Sequence, residues 1–258
     1  MSNGGMTVNS PRMMVQRVPF LPAGQDDHFY GYGVMGLPFA SGHVLAMRKM
    51  HSSVGPKYQS VWHRSPDGAW TMWSDVEPSQ SCQRYWGNDL QRAIRAPIDI
   101  AWPGPSRMTV KIDNGRDLDW EVQLGSTLVT RALSAVGRLT PNALWRRPAV
   151  LSAMGAVAGP MLRAGRMALQ GNASNGQWFR VNPELVWFVT GGRASLNGTD
   201  LGAFGPLPER VALGDFVIPQ RGVLAVGHVF FEAFDEARHL SVTSRAGVVA
   251  RTRPTTPG

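Results

Sequence analysis

Residues 122–183 contain no Asp and no Glu, yet they hold seven arginines: Arg131, Arg138, Arg146, Arg147, Arg163, Arg166 and Arg180. The formal net charge of the whole chain is +8, so this stretch accounts for most of the excess. Its middle, residues 148–162 (PAVLSAMGAVAGPML), has no charged side chain. β-type sequence lies on both sides of it. An apolar segment of small residues between arginines reads as a lid or wedge against sheets, with the arginines at its rim.

The flanks read as hairpins. Residues 58–64 (YQSVWHR) and 69–75 (AWTMWSD) bracket Ser65-Pro66-Asp67-Gly68, with Pro and Gly where a tight turn wants them. A four-residue loop pairs Arg64 with Ala69, His63 with Trp70 and Trp62 with Thr71. Alternation then puts Tyr58, Ser60, Trp62, Thr71, Trp73 and Asp75 on one face. A second hairpin joins residues 108–113 to 118–124 around Asn114-Gly115. A one-residue slip would flip every side chain. Of the two registers, only one sets Ile112 against Leu118, Val110 against Trp120 and Lys111 against Asp119, so that register is expected. Further strands are expected at 43–50, 98–102, 167–171, 176–181, 185–190, 210–218 and 222–234.

Residues 126–139 have helical periodicity, with Leu128, Val129, Ala132, Leu133 and Val136 on one side and Ser126 as N-cap. Thr140-Pro141 can start a second short helix. Pro148 can start a third, running to about residue 165. Gly155 and Gly159 in this last helix allow close packing against a sheet. The expected layout is a loose N-terminal tail (1–27), a first β block (28–125), a helical insert (126–165), a second β block (166–249) and a loose tail (250–258). The fold class is mainly β: an antiparallel barrel or two packed antiparallel sheets, with the helical insert covering one opening.

Composition narrows the function classes. Nine Trp is a heavy load, and the basic residues are 23 Arg against three Lys. The planar guanidinium suits phosphates and carboxylates, two oxygens at a time. A single cysteine, Cys82, rules out an intramolecular disulfide framework and a multi-cysteine metal site. It fits a reducing compartment. No leader-type apolar core and no run of about 18 apolar residues is present, so a cytoplasmic protein is expected. The arginines are interleaved with an apolar helix and no nucleic-acid module motif occurs, so nucleic acid is not an expected partner. Gly31-Tyr32-Gly33-Val34-Met35-Gly36 matches GxGxxG formally, but Leu37-Pro38 follows and no βαβ rhythm appears. It reads as a glycine-rich loop before the first strand. No cofactor or metal site is expected, and the oligomeric state is not legible.

The stretches SVWHRSPDGAWTMWSD (60–75), MTVKIDNGRDLDWEV (108–122) and GQWFRVNPELVWFV (176–189) resemble the lipocalin-like double barrels of the carotenoid hydratase and tocopherol cyclase type. The resemblance covers about half the chain and implies a cavity for a hydrophobic, isoprenoid- or polyketide-like ligand. It carries over no catalytic residue. The first expectation is therefore binding of a lipophilic small molecule, with Trp62, Trp73, Trp120 and Trp187 lining the cavity. Arg131 and Arg163 would meet an acid group on the ligand. The second is a cofactor-free cyclase, hydratase or isomerase in the same cavity. Its proton-transfer group would be Asp75, beside Tyr58, or His63. The third is a peripheral protein on an anionic membrane surface.

Overall fold

A computed structural model describes residues 10–17, 21, 24–241 and 249–250. Of the expected tails, residues 1–9 and 251–258 lie outside the described residues. Within 1–27 a short helix, α1 (Pro11–Val15), forms behind Pro11 and buries Met14.

The chain is mainly β, and strands from both expected blocks interleave in one curled sheet. The first block supplies β1 (Asp27–Pro38), β2 (Val44–Ser52), β3 (Tyr58–Arg64), β4 (Trp70–Ser74), β5 (Arg92–Arg95), β6 (Ile98–Ala101), β7 (Arg107–Ile112) and β8 (Leu118–Gly125). A short helix, α2 (Gln83–Trp86), lies between β4 and β5. The second block supplies β9 (Gln170–Asn172), the 19-residue β10 (Trp178–Leu196), β11 (Thr199–Asp200), β12 (Ala212–Leu213), β13 (Phe216–Val217), β14 (Val223–Phe231) and β15 (Val249–Ala250). The order is β15-β5-β4-β3-β2-β1-β14-β10-β8-β7-β6, with β9 and β11 also on β10. β12 and β13 form a separate ribbon. Pairing is antiparallel except at β4–β5 and β5–β15, so the large sheet is mixed.

The sheet curls until its edge meets its middle. The Trp102 indole, just past the outermost strand β6, donates to the Tyr32 hydroxyl on β1 at 3.3 Å. Gln59 on β3 donates to the Ile98 carbonyl at 3.1 Å. Ala96-Pro97 joins β5 to β6, which stand near opposite ends of the strand order. The result is a half-barrel whose inner face is packed solid. Trp120, Met108, Ile112, Leu118 and Met47 there are all completely buried.

The β7–β8 register is the expected one: Ile112↔Leu118, Lys111↔Asp119, Val110↔Trp120. The β3–β4 register is shifted by one from the expectation. Arg64 pairs with Trp70, Trp62 with Met72 and Val61 with Trp73. Ser65 N–H donates to the Ala69 carbonyl at 3.0 Å, so Ser65 extends the ladder and the loop shrinks to Pro66-Asp67-Gly68. Gly68, at φ +93°, takes the left-handed position that such three-residue loops require. Tyr58, Ser60 and Trp62 therefore share the outer face with Trp70 and Met72, while Trp73 turns into the half-barrel.

The helical insert is present as α3 (Leu128–Leu139) and α4 (Pro148–Leu162), with a 3₁₀ turn (Leu144–Arg146) between them. Thr127, not Ser126, caps α3: its hydroxyl accepts from Thr130 N–H, and the Thr130 hydroxyl accepts from Thr127 N–H. The orientation of α3 departs in part from the expected one: Val129 and Leu133 pack against Val186, Phe188 and Val223, but Leu128 and Val136 are exposed. The stripe against β10 is Thr130, Ser134 and Gly137. The Ser134 hydroxyl accepts from Val186 N–H at 3.0 Å and donates to the Thr130 carbonyl at 2.7 Å. A Cβ on Gly137 would collide with the Pro183 carbonyl. The side chains of Leu128, Val136 and Leu139 consequently point away from the sheet. In α4 the buried stripe is Leu151, Gly155, Gly159 and Leu162. A Cβ on Gly155 would lie 2.7 Å from the Met167 carbonyl and one on Gly159 would meet the Gly165 carbonyl, so the two glycines permit close packing, but against the loop that follows α4 and not against a sheet as expected.

Candidate functional site

The outer face of the sheet is hollow where its strands carry small residues. Gly31 of β1 pairs with Gly227 of β14, and Gly33 pairs with Ala225. Gly31, Ala46, Ala225 and Gly227 line a cavity walled by Phe29, Tyr58, Trp62, Trp86, Phe179 and Phe231. The glycines of the GxGxxG stretch thus lie inside strand β1, not in a loop before it. A Cβ on Gly31 would meet the Lys49 carbonyl, and one on Gly227 the Asn182 carbonyl. Only glycine lets these strands approach so closely. This aromatic chamber has a volume of about 80 Å³.

A larger cavity, about 370 Å³, lies between the sheet and the helices α3 and α4. Its lining is apolar and includes Leu133, Val136, Met154, Val157 and Met161. That volume falls within the range of roughly 300–1,000 Å³ typical of small-molecule sites. The two cavities share Met35, Val181, Pro183, Phe216 and Ala225 as a common wall.

One permanent cation stands at that wall. The Arg48 guanidinium on β2 donates from Nη1 to the Val34 carbonyl at 2.7 Å and to the Met47 carbonyl at 3.0 Å. Nη2 donates to the Met35 carbonyl at 3.4 Å, and the group lies 5.6 Å from the Phe216 ring. The bulge between Val34 and Leu37 re-aims the β1 backbone at this point. Burial lowers the Arg48 pKa, partly offset by Cys82 and Tyr58. Among the described residues no carboxylate lies within ion-pair distance of it. Of the five N–H donors of a guanidinium, two are left for a ligand. Protein atoms enclose the group, but its surface still opens into the cavity.

The expected site residues separate. Tyr58 and Trp62 line the aromatic chamber. Burial, followed by the nearby Cys82, pushes the Tyr58 pKa well above its ordinary value, so this phenol stays neutral. The Cys82 thiol lines the same chamber and is likewise raised by burial. Trp73, Trp120 and Trp187 belong to the packed interior of the half-barrel. Asp75 is not beside Tyr58 on an aromatic face. Its carboxylate accepts from Gln59 N–H at 2.7 Å and Gln59 Nε2 at 3.0 Å, a strand-end bond. His63 is buried against Trp73 and is 2.8 Å from the His43 ring nitrogen. Burial and then His43 lower its pKa to about 4. Arg131 and Arg163 are exposed: Arg131 edges a separate groove beside Trp187, and Arg163 is the left-handed C-cap of α4. Sequence reasoning missed Arg48, because HVLAMRKM offers only a charged position in an alternating strand.

A second constellation lies at the inner face. Glu184 Oε1 is 3.2 Å from His228 Nε2, and His228 Nδ1 is 2.8 Å from His28 Nε2. With Glu184 ionised, His228 presents Nε2–H to it, so its Nδ1 accepts from His28 Nε2–H. The His228 bond, working against burial, holds the Glu184 pKa below its usual range. Burial and then Glu184 raise Tyr30, 3.4 Å away, to about 12. The chain borders a polar pocket of about 130 Å³ that Arg146, Arg180 and Asn182 also line. Arg180 stacks on Phe230 at 3.6 Å and pairs with Asp26 at 3.1 Å.

Among the described residues no group of three or more His, Cys, Asp or Glu is placed to hold a metal ion, and no helix is long and apolar enough to cross a membrane. The fold and this geometry define a curled, mainly β half-barrel with a cationic, aromatic-walled cavity on its outer face. No protein-family model matches the chain, and no curated protein matches it.

Proposed function

We propose that the protein binds a lipophilic small anion, with the acid group on Arg48 and the hydrocarbon part in the apolar cavity beneath α3 and α4. The observation that carries this reading is Arg48: a cation inside an apolar chamber, with two donors free and, among the described residues, no carboxylate in ion-pair range. An unpaired buried charge is costly, and a ligand oxyanion would compensate it with charge-assisted hydrogen bonds. The aromatic chamber is too small for more than a head group, while the helix-covered cavity suits a chain or ring system. The lipocalin-like resemblance enters here with one change. Barrels of that kind hold their ligand inside; in this protein the inside is filled by Trp120 and its neighbours, and the ligand sits on the outer face under the helical insert. Solvent extraction of the purified protein followed by mass spectrometry tests the reading. A co-purifying lipophilic acid supports it, and an empty protein that also takes up no long-chain carboxylate removes it.

A second reading, a cofactor-free acid–base enzyme, is favoured by the Glu184–His228–His28 chain and not by Asp75 or His63. The chain could relay a proton from the polar pocket to Glu184 through His28 and His228, each imidazole releasing one proton as it takes up another. Substituting His228→Gln in a screen for isomerase or hydratase turnover tests it: loss of turnover with the fold intact supports the reading, and unchanged turnover removes it.

A further inference from the structure

We propose that the outer surface of α3 and α4 docks on an anionic lipid bilayer, and that the larger cavity opens within this docking face. The second part rests on the lipophilic-anion reading given above.

An amphipathic helix normally turns its large apolar side chains to the core. In α3 the most buried stripe is Thr130, Ser134 and Gly137; Val129 and Leu133 pack beside it against Val186, Phe188 and Val223, while Leu128, Val136 and Leu139 are left exposed. Leu128 is 83% exposed and Leu139 81%. In α4, Val157 is 57% and Met161 42% exposed, on a helix with no charged residue anywhere along it. Val136 and Leu144 add to the same helical pair. An apolar cluster of this kind on a folded surface marks an interaction site.

Charge identifies the occupant. Arg131 and Arg138 lie on α3, Arg146 and Arg147 precede α4, and Arg163 and Arg166 follow it; all six are exposed. Among the described residues none of the six is in ion-pair range of a carboxylate, and residues 122–183 contain no acidic side chain. Exposed apolar side chains with unpaired cations at both ends of α4 match an anionic bilayer, whose surface attracts the cations and whose acyl boundary accepts the apolar side chains, while Arg131 and Arg138 edge the groove beside Trp187 and Arg146 the polar pocket. Nucleic acid would satisfy the arginines alone and leave the leucines in water.

The cavity supplies the link to function. Val136, Val157 and Met161 are exposed and also line the 370 Å³ cavity. Its mouth is therefore framed by side chains that would insert into the bilayer. A lipophilic anion could pass from membrane to Arg48 without crossing water.

Co-sedimentation of the full chain with phosphatidylcholine vesicles, with and without phosphatidylglycerol, tests the docking face. The expected result is binding that needs the anionic lipid and weakens as salt rises, roughly fivefold for each arginine neutralised. Leu128→Asp with Leu139→Asp, neither of which lines the cavity, should abolish vesicle binding and leave uptake of a soluble fluorescent fatty acid intact. Arg48→Met should do the opposite, so failure of the docking face and failure of the cavity are told apart. Absence of vesicle binding at low salt overturns the proposal, as does binding untouched by the Leu128/Leu139 pair. Binding to an RNA oligonucleotide without binding to vesicles also overturns it and reassigns the arginines.

Discussion

Gly31 and Gly227 face each other across the β1–β14 ladder, and both line the aromatic chamber. The aromatic residues that would meet over a filled sheet instead form walls, and Arg48 reaches into the gap from the neighbouring strand. The cavity thus exists because the centre of the sheet carries glycine and alanine where its surroundings carry Phe, Tyr and Trp.

Filling the hollow should block it without harming the fold. Ala225 lies on the shared wall of both cavities and keeps surface open to them. Ala225→Leu should change stability by no more than about 1 kcal/mol, since the added methylenes enter empty space. Uptake of a fluorescent fatty acid should be lost. Gly31→Ala should behave differently, costing roughly 1–3 kcal/mol in a denaturant melt, because its Cβ would collide with the Lys49 carbonyl and with Met50.

Asp75→Asn should leave ligand affinity unchanged. The carboxylate serves Gln59 at the end of β3 and reaches neither cavity. The substitution weakens charge-assisted bonds, so a stability loss of about 1 kcal/mol is expected by urea unfolding.

The His63 imidazole sets a pH dependence whose sign follows from its depressed pKa. Above pH 6.5 His63 is neutral in both folded and unfolded chains, and its contribution to stability is complete. As pH falls from 6.5 toward about 4, the unfolded chain takes up a proton that the folded one refuses, so stability drops. The loss is on the order of 2–3 kcal/mol for this buried ring. Thermal melts between pH 7 and 4 should show it, and His63→Phe should flatten that limb of the profile.

The Cys82 thiol should be inert while the protein is folded. It is buried, its pKa is raised, and it lies 3.3 Å from the Ser60 hydroxyl. A thiol reagent should label it only after denaturation, at the rate of unfolding.

Much of the fold can be read from the chain because hairpin signals are local. Asn114-Gly115 and the Lys111/Asp119 pair fix one register, and Gly155 with Gly159 announce the close packing of α4. Where Ser65 extends the ladder by one residue the local signal fails, and one step in register sent Trp73 inward while Trp62 stayed out. The site was less legible. Helical periodicity finds the apolar stripe of α3 but cannot tell what that stripe faces. Gly31 and Gly227 come together only through the pairing of β1 with β14, and nothing around Arg48 in sequence marks it as the cation of a closed chamber. Tyr58 and Trp62 were legible as site residues because an aromatic strand beside a turn places both on one face, whatever the register of its partner.

The most direct measurement is titration of the protein with a long-chain fatty acid and with its uncharged methyl ester, for wild type and Arg48→Met. A guanidinium holding the acid group predicts that wild type prefers the acid by roughly 10- to 100-fold, the worth of charged hydrogen bonds. In Arg48→Met the preference should vanish, with thermal stability equal to or above that of wild type. Equal binding of acid and ester by wild type, or a preference that survives in Arg48→Met, would contradict the account.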